Sequence, residues 1–302
     1  MARIGVSAER ERATSGLVPA LGSQPQLGYN GRMQTGKELI ADINACRVPA
    51  GQCALWWLGQ HSFIVKLGST VVYLDAFLSP RRGRLVEPLL APAQVTNADV
   101  IVGTHDHADH IDRPAWPVMA QASPQALFVT PELLRARVTA ELNLTPARVV
   151  GADFSCPPIT VKDVKISAIP AAHEFLDRDA ATGFYPCIGV IVEGLGFRLY
   201  HSGDCCMYEG IHALLRSQPC NLFLLPINGR DAARLSTNCI GNMTLQEAAD
   251  LTGQMKPATV IPAHYEMFAR NSANVQDFVD YMRVKYPHQR VVVPAHGEKV
   301  ML

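Results

Sequence analysis

The stretch Ala98-Asp99-Val100-Ile101-Val102-Gly103-Thr104-His105-Asp106-His107-Ala108-Asp109-His110 decides which fold the chain is expected to adopt. Its first half, residues 98–103, is mostly apolar, rich in β-branched side chains and ends in glycine, which predicts a buried strand. Its second half places three histidines and two aspartates within the six residues from His105 to His110. The polar cluster is therefore expected on the loop where the strand ends.

The composition of this loop indicates metal binding. Neutral imidazole and carboxylate are ligands of first-row divalent metals such as zinc and manganese. A loop allows His105 and His107 to face one cation while Asp109 and His110 face another. Two such ions, about 3.5–4 Å apart, can share one hydroxide, which is a strong nucleophile at neutral pH. The density of histidines argues against a merely solvated loop, and the internal position with interleaved aspartates excludes an affinity tag.

The pattern His105-x-His107-x-Asp109-His110 resembles the signature of the metallo-β-lactamase superfamily. This resemblance implies an α/β fold, a four-layer αβ/βα sandwich in which two mixed β-sheets pack face to face with helices outside. It also implies a metal-dependent hydrolase. Because the superfamily contains hydrolases of lactones, thioesters, phosphodiesters and β-lactams, the resemblance indicates the catalytic machinery better than the substrate.

Length and composition fit one hydrolase domain over residues 34–302. The chain has 302 residues and 48% hydrophobic content, enough for a sizeable core. Residues 1–33 mix charged residues with Ser, Gly and Pro and contain no apolar run of signal-peptide length, so we expect a flexible lead-in. A formal net charge of zero leaves no basic surface for nucleic acid. No segment approaches the roughly eighteen apolar residues of a membrane span.

The cysteines indicate a reducing compartment. Eight of them are scattered without a C-x-x-C pair or the spacing of a small disulfide framework. We therefore expect reduced, mostly buried thiols and a cytoplasmic protein. The expected partner is a small-molecule substrate, and a homo-oligomer is compatible with the sequence.

Three short strands are predicted ahead of the metal loop, over residues 53–58, 62–67 and 70–74, as an antiparallel meander with tight turns. The third strand ends at Asp75. The resemblance places an acidic residue here, near the metals but not bound to them; a turn or capping carboxylate is the alternative. His61, in the first turn, either lines the cleft or faces solvent.

A proline-rich loop follows Asp75 and carries three arginines, Arg81, Arg82 and Arg84. Guanidinium groups pair bidentately with carboxylate or phosphate, so this loop could hold an anionic group of the substrate. A solvated loop is the commoner role for such a run.

Two helix starts are visible in the sequence. Thr130-Pro131-Glu132 predicts a helix with Thr130 as its cap, running to about Asn143. Thr244-Leu-Gln-Glu247 has the pattern of a capping box.

The second half of the chain supplies a histidine and an aspartate just after predicted strands. An alternating run over residues 161–169 predicts one strand, and His173 follows it. The resemblance makes His173 the third histidine of the first ion. Two further strands are predicted over residues 187–193 and 197–200, and the second leads into His201-Ser202-Gly203-Asp204.

An aspartate after a tight glycine turn at a strand end is suited to bridging two metals, because each of its oxygens can contact one ion. The superfamily has its bridging carboxylate in this Ser-Gly-Asp context, so Asp204 is the expected bridge. His201 is expected to support the ligands. The group that protonates the leaving group could be Asp109, His201 or a metal-bound water.

Later in the chain, a predicted buried strand over residues 222–227 is followed by Asn228 and Arg230. These side chains could hold a substrate oxyanion or phosphate, although a glycine-containing turn needs no such role.

The last ligand is expected after the pattern Thr259-Val-Ile-Pro-Ala. His264 resembles the superfamily's last ligand, the histidine of the second ion. His296 follows a nearly identical pattern, Val291-Val-Val-Pro-Ala. We favour His264 because it lies a helix-sized distance after Asp204 and is followed by Tyr265-Glu266, as in the lactonase-like branch.

The resemblance thus assigns His105, His107 and His173 to one ion, Asp109, His110 and His264 to a second, and Asp204 to both. The cofactors are expected to be two divalent ions, and the absence of thiolate ligands makes zinc and manganese equally compatible.

Within the superfamily the chain most resembles the L-ascorbate-6-phosphate lactonase branch, through Trp56-Trp57-Leu58-Gly59, Tyr200-His201-Ser202-Gly203-Asp204 and Val260-Ile261-Pro262. This resemblance implies a small, anionic ester or lactone as the substrate. The chain departs from that branch in a shorter segment after Asp75 and in keeping His173. A phosphodiesterase of the same superfamily is the main alternative, and a non-hydrolytic diiron or metal-binding scaffold is a further one.

Overall fold

Every residue of the first strand, β1 (Ala54–Gly59), is buried. Leu55 and Trp57 pack in the core between two sheets, whereas Trp56 and Leu58 pack against helices on the outer face of their sheet. Strand side chains alternate between the two faces. A continuous apolar run such as this one is therefore expected where a sheet lies between two other layers.

The computed structural model describes residues 34–302, so the expected lead-in over residues 1–33 lies outside the described residues. The described chain contains two mixed sheets. The first has the order β13-β1-β2-β3-β4-β5-β6 and consists of β1, β2 (Ser62–Leu67), β3 (Thr70–Leu74), β4 (Val100–Val102), β5 (Leu127–Pro131), β6 (Val149–Ala152) and β13 (Lys299–Met301). The second has the order β12-β11-β10-β9-β8-β7 and consists of β7 (Ile159–Val161), β8 (Val164–Pro170), β9 (Ile188–Gly194), β10 (Phe197–His201), β11 (Leu222–Pro226) and β12 (Thr259–Ala263).

The two sheets have similar internal organisation. In the first sheet, neighbouring strands are antiparallel from β13 through β1 and β2 to β3, and parallel from β3 through β4 and β5 to β6. In the second, neighbouring strands are antiparallel from β7 through β8 and β9 to β10, and parallel from β10 through β11 to β12. The parallel strands need crossover connections, which several of the helices supply.

The helices form the outer layers. They are α1 (Gly36–Ala45), α2 (Trp116–Ala122), α3 (Glu132–Glu141), α4 (Ile211–Ser217), α5 (Ala232–Leu235), α6 (Leu245–Met255) and α7 (Val275–Lys285). Buried side chains of α1, α2 and α3 pack on the outer face of the first sheet, and those of α4, α6 and α7 belong to the core around the second. The predicted four-layer αβ/βα sandwich is therefore confirmed.

The strand predictions hold closely, and β2 and β3 have the expected bounds. Residues 161–169, however, do not form one strand. Val161 pairs with Val164 across a hairpin, and Lys162 adopts a left-handed φ of 51°. The alternation of the sequence continues through this turn, which is why periodicity alone did not reveal it.

The capping box of Thr244 and Glu247 is confirmed at the start of α6. The cap predicted at Thr130 is wrong. Thr130 and Pro131 belong to β5, the Thr130 hydroxyl donates to the carbonyl of Pro131, and α3 begins at Glu132. Tertiary pairing of Thr130 with Gly151 of β6 outweighs the local helix-start signal here.

All eight cysteines lie within the described residues and are free thiols, three of them buried. In the part of the chain that the structure describes, none of the helices has the length and apolar character needed to cross a membrane.

Candidate metal centre

Loops that follow β4, β8, β10 and β12 meet at one edge of the sandwich and bring all seven predicted ligands together. Their ligand atoms form two groups, within each of which the atoms lie within 4.8 Å of one another. The first group consists of His105, His107, His173 and Asp204. The second consists of Asp109, His110 and His264.

Three ring nitrogens converge in the first group. Nδ1 of His107 lies 2.9 Å from Nε2 of His105 and 3.1 Å from Nε2 of His173. Burial lowers the pKa of His105 well below its usual value and that of His173 to about 4. These two imidazoles are therefore neutral at pH 7. Ring nitrogens that converge at this distance fit a shared divalent cation, which neutral imidazole binds well.

Asp204 lies between the two groups. Its Oδ2 is 3.1 Å from Nε2 of His264 and 4.0 Å from Nε2 of His173, and its Oδ1 is 3.3 Å from Nε2 of His110. Burial alone would raise the pKa of Asp204, but the neighbouring His264 and His110 outweigh burial and hold it well below its usual value. One ionised carboxylate thus reaches ligand atoms of both groups, as a bridging ligand must.

The local backbone explains why glycine precedes this aspartate. Gly203 has a left-handed φ of 58°, and a Cβ at this position would lie 2.8 Å from both the carbonyl oxygen of Ile188 and Oγ1 of Thr104. Only glycine fits this turn without a shift of its neighbours. The glycine therefore allows the chain to turn sharply and to present Asp204 to the cluster.

Asp75 supports the second group from behind. Its Oδ2 accepts hydrogen bonds from Nδ1 of His110 at 2.7 Å and Nε2 of His201 at 2.9 Å, and its Oδ1 accepts one from the amide of Thr104 at 2.8 Å. Burial would raise the pKa of Asp75, but the imidazoles of His110 and His201 hold it well below its usual value. This placement fits the expected carboxylate near the metals, and it fixes the ring of His110 with Nε2 towards Asp204.

His201, a sequence candidate for proton transfer, is fully buried with Nε2 on Asp75. Its ring centroid lies 4.2 Å from that of His61. This position suits the orientation of Asp75 and gives His201 no access to a leaving group. His61 is also fully buried, which rules out the alternative that it faces solvent. Burial holds the pKa of His61 well below its usual value, so this ring is neutral.

The choice between the two candidate last ligands favours His264. The ring of His296 stacks on Trp57 with centroids 4.3 Å apart and belongs to neither ligand group. His264, by contrast, adopts a left-handed φ of 62° after β12 and directs Nε2 to Asp204. Non-glycine residues in this conformation are uncommon and concentrate at functional sites.

The predicted substrate contacts, Asn228 and Arg230, both have protein partners. The amide of Asn228 donates to Oδ1 of Asn271 at 2.7 Å and accepts from Nδ2 of Asn242 at 3.1 Å. Arg230 donates to the two carboxylate oxygens of Glu247 at 2.6 and 2.7 Å. Asn228 is therefore part of a buried amide network, and Arg230 is held in a bidentate ion pair.

Arg230 also lines a cavity of about 210 Å³. The other lining residues are Glu174, Asp231, Leu235, Cys239, Ile240 and Gly241. Burial raises the pKa of the Cys239 thiol, and the charges of Asp109 and Asp204 add to this effect against that of Arg234. The wall of the cavity combines charged and apolar groups, and one of its residues, Glu174, directly follows the predicted ligand His173 in the sequence.

The arginine loop is partly structural. Arg84 donates to the carbonyl oxygens of Phe77, Ser79 and Val86, and its guanidinium lies over the ring of Phe77. Arg81 and Arg82 are exposed. Arg84 therefore stabilises its own loop.

Gln60, in the turn between β1 and β2, also reaches the ligands, and the sequence alone did not reveal this. Its Nε2 lies 3.1 Å from both Oδ2 of Asp109 and Nε2 of His264. The available signal was its position at the end of β1, on the sheet edge where β3 ends at Asp75.

A profile of the β-lactamase superfamily domain matches residues 70–265, about two thirds of the chain and nearly all of the candidate centre. The chain belongs to the metallo-β-lactamase superfamily. Similar members include a UPF0173 metal-dependent hydrolase from Pyrococcus abyssi, 28% identical over 247 residues that cover 82% of this chain and 98% of the relative. Another, from Cupriavidus taiwanensis, is 29% identical over 267 residues, covering 83% and 87%.

Solved structures of other proteins share the fold. A metallo hydrolase from Ignicoccus hospitalis matches with a TM-score of 0.63 at 20% identity and covers 83% of this chain and 98% of its own. An isothiocyanate hydrolase from Delia radicum gut bacteria matches with a TM-score of 0.63 at 16% identity, covering 82% and 98%. At these identities the likeness concerns the fold alone.

Proposed function

We propose that this superfamily member is a hydrolase that acts with two divalent ions on a small ester or lactone. The observation that carries the proposal is the position of Asp204, whose two oxygens lie 3.1 to 4.0 Å from Nε2 atoms of His264, His110 and His173. The similar UPF0173 proteins, which are named metal-dependent hydrolases, support metal-dependent hydrolysis.

The proposed ligands are those that the sequence suggested. His105, His107 and His173 hold the first ion, Asp109, His110 and His264 hold the second, and Asp204 contacts both. All the donor atoms are nitrogen or oxygen, which suits zinc and manganese alike. When bound, two such ions supply a water activated for attack at neutral pH and positive charge that stabilises an oxyanion.

The protein's own side chains orient the ligands and transfer protons. Asp75 holds Nδ1 of His110, so that Nε2 of His110 is directed to the centre. Asp109 is the more accessible carboxylate of the cluster, with 20% of its side chain exposed against 5% for Asp204. We therefore assign proton transfer to Asp109, whose carboxylate would accept the proton that the attacking water loses and pass it to the leaving group, in preference to His201, which is buried behind Asp75.

The proposed substrate is small. Pockets for drug-sized ligands are roughly 300–1,000 Å³, whereas the cavity lined by Arg230 and Glu174 is about 210 Å³. Arg230 is the basic side chain in its wall, and its guanidinium is oriented by the ion pair with Glu247. It is proposed to meet an anionic group of the substrate from within that pair, with Asn228 supporting the wall. A phosphodiester remains the alternative substrate. A cytoplasmic location and a homo-oligomer remain predictions.

The proposal is tested by metal analysis of the purified protein together with a screen of lactones and bis(p-nitrophenyl) phosphate, with and without added manganese. Turnover of lactones alone supports the proposed class, and turnover of the diester alone supports the alternative. A His107→Ala variant that keeps full metal content and full rate would overturn both.

A further inference from the structure

The turn between β1 and β2 brings a glutamine into the candidate second ion site. Gln60 is fully buried, although it occupies a tight turn. Its Nε2 lies 3.1 Å from Oδ2 of Asp109, 49 residues away, and 3.1 Å from Nε2 of His264, 204 residues away. Both of these partners are proposed ligands of the second ion.

The backbone fixes this side chain in place. The carbonyl oxygen of Gln60 accepts hydrogen bonds from the amide of His264 at 2.8 Å and from Nε1 of Trp57 at 3.1 Å. The residue has a left-handed φ of 52°, a conformation that a non-glycine residue adopts at some energetic cost. The turn is therefore tied to the ligand loop of His264, and the carboxamide is presented to the site by a rigid support.

The carboxamide has an unsatisfied atom. Oε1 of Gln60 is buried and has no hydrogen-bond partner. The two ends of a glutamine amide have the same shape, and a half-turn about the last side-chain bond exchanges nitrogen and oxygen. This rotation places Oε1 where Nε2 now lies, among the donor atoms of Asp109 and His264.

The charge of a bound cation decides between the two orientations. The amide NH2 group carries partial positive charge, so it is repelled by a cation held by Asp109, His110 and His264. The carbonyl oxygen is attracted by the same cation and is a ligand for divalent metals. Metal–ligand bonds of about 2.0–2.2 Å place neighbouring ligand atoms roughly 3 Å apart, which is the spacing of Gln60 from both partners.

We propose that Gln60 is a ligand of the second ion through Oε1. This inference rests on the proposed two-ion function. With Gln60, the second site has three oxygen ligands, from Asp109, Asp204 and Gln60, besides two imidazoles. The first site has three imidazoles and one oxygen ligand. The second site is therefore richer in hard oxygen ligands and favours manganese more than the first site does.

The experiment is a titration of metal-free protein with Mn²⁺. Binding is monitored by calorimetry and by the electron paramagnetic resonance signal of free Mn²⁺. The binding event that a His264→Ala variant removes is assigned to the second site. Gln60→Leu is expected to weaken that event by at least 10-fold and to leave the other unchanged, which also shows that the variant is folded. Gln276→Leu, at an exposed glutamine of α7, is the control.

The Gln60→Glu variant distinguishes a role of Gln60 as a metal ligand from a role as a hydrogen-bond donor. A carboxylate supplies an oxygen and a negative charge, so a ligand role predicts second-site binding as tight as in the wild type or tighter. A donor role towards Asp109 predicts weaker binding, because two carboxylates repel each other there. Weaker binding in Gln60→Glu, or unchanged binding in Gln60→Leu, overturns the proposal; if Gln60→Leu does not fold, Gln60→Glu alone decides. Wild-type protein that binds a single ion instead overturns the two-ion function.

Discussion

The carboxylate of Asp75 lies 2.7 Å from Nδ1 of His110, on the side of that ring opposite the candidate metal centre. Asp75 also accepts hydrogen bonds from His201 and from the amide of Thr104, so one buried carboxylate fixes several groups of the site. Carboxylates that hold metal-binding imidazoles in this way set both the tautomer and the basicity of the ring.

Replacing Asp75 is therefore expected to weaken binding of the second ion. Asp75→Asn keeps the shape of the side chain and removes its charge, and we expect a loss of about 10- to 100-fold in second-site affinity, measured by calorimetry. Asp99→Asn is the matched control, because Asp99 is a buried carboxylate just before β4 that binds the amide of Val71 and Lys162. Equal losses of affinity in the two variants would refute the role of Asp75.

Metal binding is expected to release a proton from His110. Burial lowers the pKa of His110, but the charges of Asp204, Asp75 and Asp109 outweigh it and raise the pKa well above its usual value. The ring is therefore protonated at neutral pH in metal-free protein and must lose a proton before Nε2 binds a cation. Second-site affinity should rise with pH for as long as the pH is below this raised pKa.

Calorimetry in two buffers with different heats of ionisation measures this proton. We expect close to one proton released in the second-site event. His105 and His173 contribute none to the first-site event, because their lowered pKa values leave them already neutral. A second-site event without proton release would contradict the raised pKa.

Gly203→Ala is expected to reduce both stability and activity. The new Cβ would meet Ile188 and Thr104 at 2.8 Å in a left-handed backbone, so Asp204 must shift. Conformational strain of this kind costs about 1–3 kcal/mol, measurable by urea unfolding. Gly210→Ala is the control, because Gly210 also has a positive φ, 96°, but no atom lies within 4 Å of the added Cβ. We expect a smaller loss of stability and full activity in the control.

Lys66→Met is expected to destabilise the fold and leave catalysis intact. The ammonium group of Lys66 donates to the carbonyl oxygens of Ile43 and Asn44 in the last turn of α1, at 2.7 and 3.1 Å. Removing a charged donor from such carbonyls costs roughly 1–3 kcal/mol, measured as a lower free energy of unfolding. Lys165→Met, at an exposed position of β8, should change this free energy little. A comparable loss in both variants would count against the contacts of Lys66.

The site was predictable to the extent that its chemistry is local in sequence. The ligands His105 to His110 are adjacent, and Asp204 and His264 each follow an apolar strand, so a pattern of strand ends located them. Periodicity does not detect a turn such as Lys162, which interrupts no alternation, and it does not show that β5 extends through Thr130.

Gln60 and His61 show the other limit. Their roles depend on contacts with residues distant in sequence, such as Asp109 and His264, which local signals cannot supply. A tight turn predicts exposure, yet this turn is buried because the loops of both sheets close over it. Burial of a turn is a property of the assembled sandwich.

The number of divalent ions bound per chain in metal-saturated protein tests the two-ion site most directly. Elemental analysis after removal of free metal is predicted to give two ions in the wild type and fewer in Asp204→Ala, which lacks the carboxylate shared by both groups. A wild-type content of one ion or fewer, or a content unchanged by Asp204→Ala, would contradict the two-ion site described above.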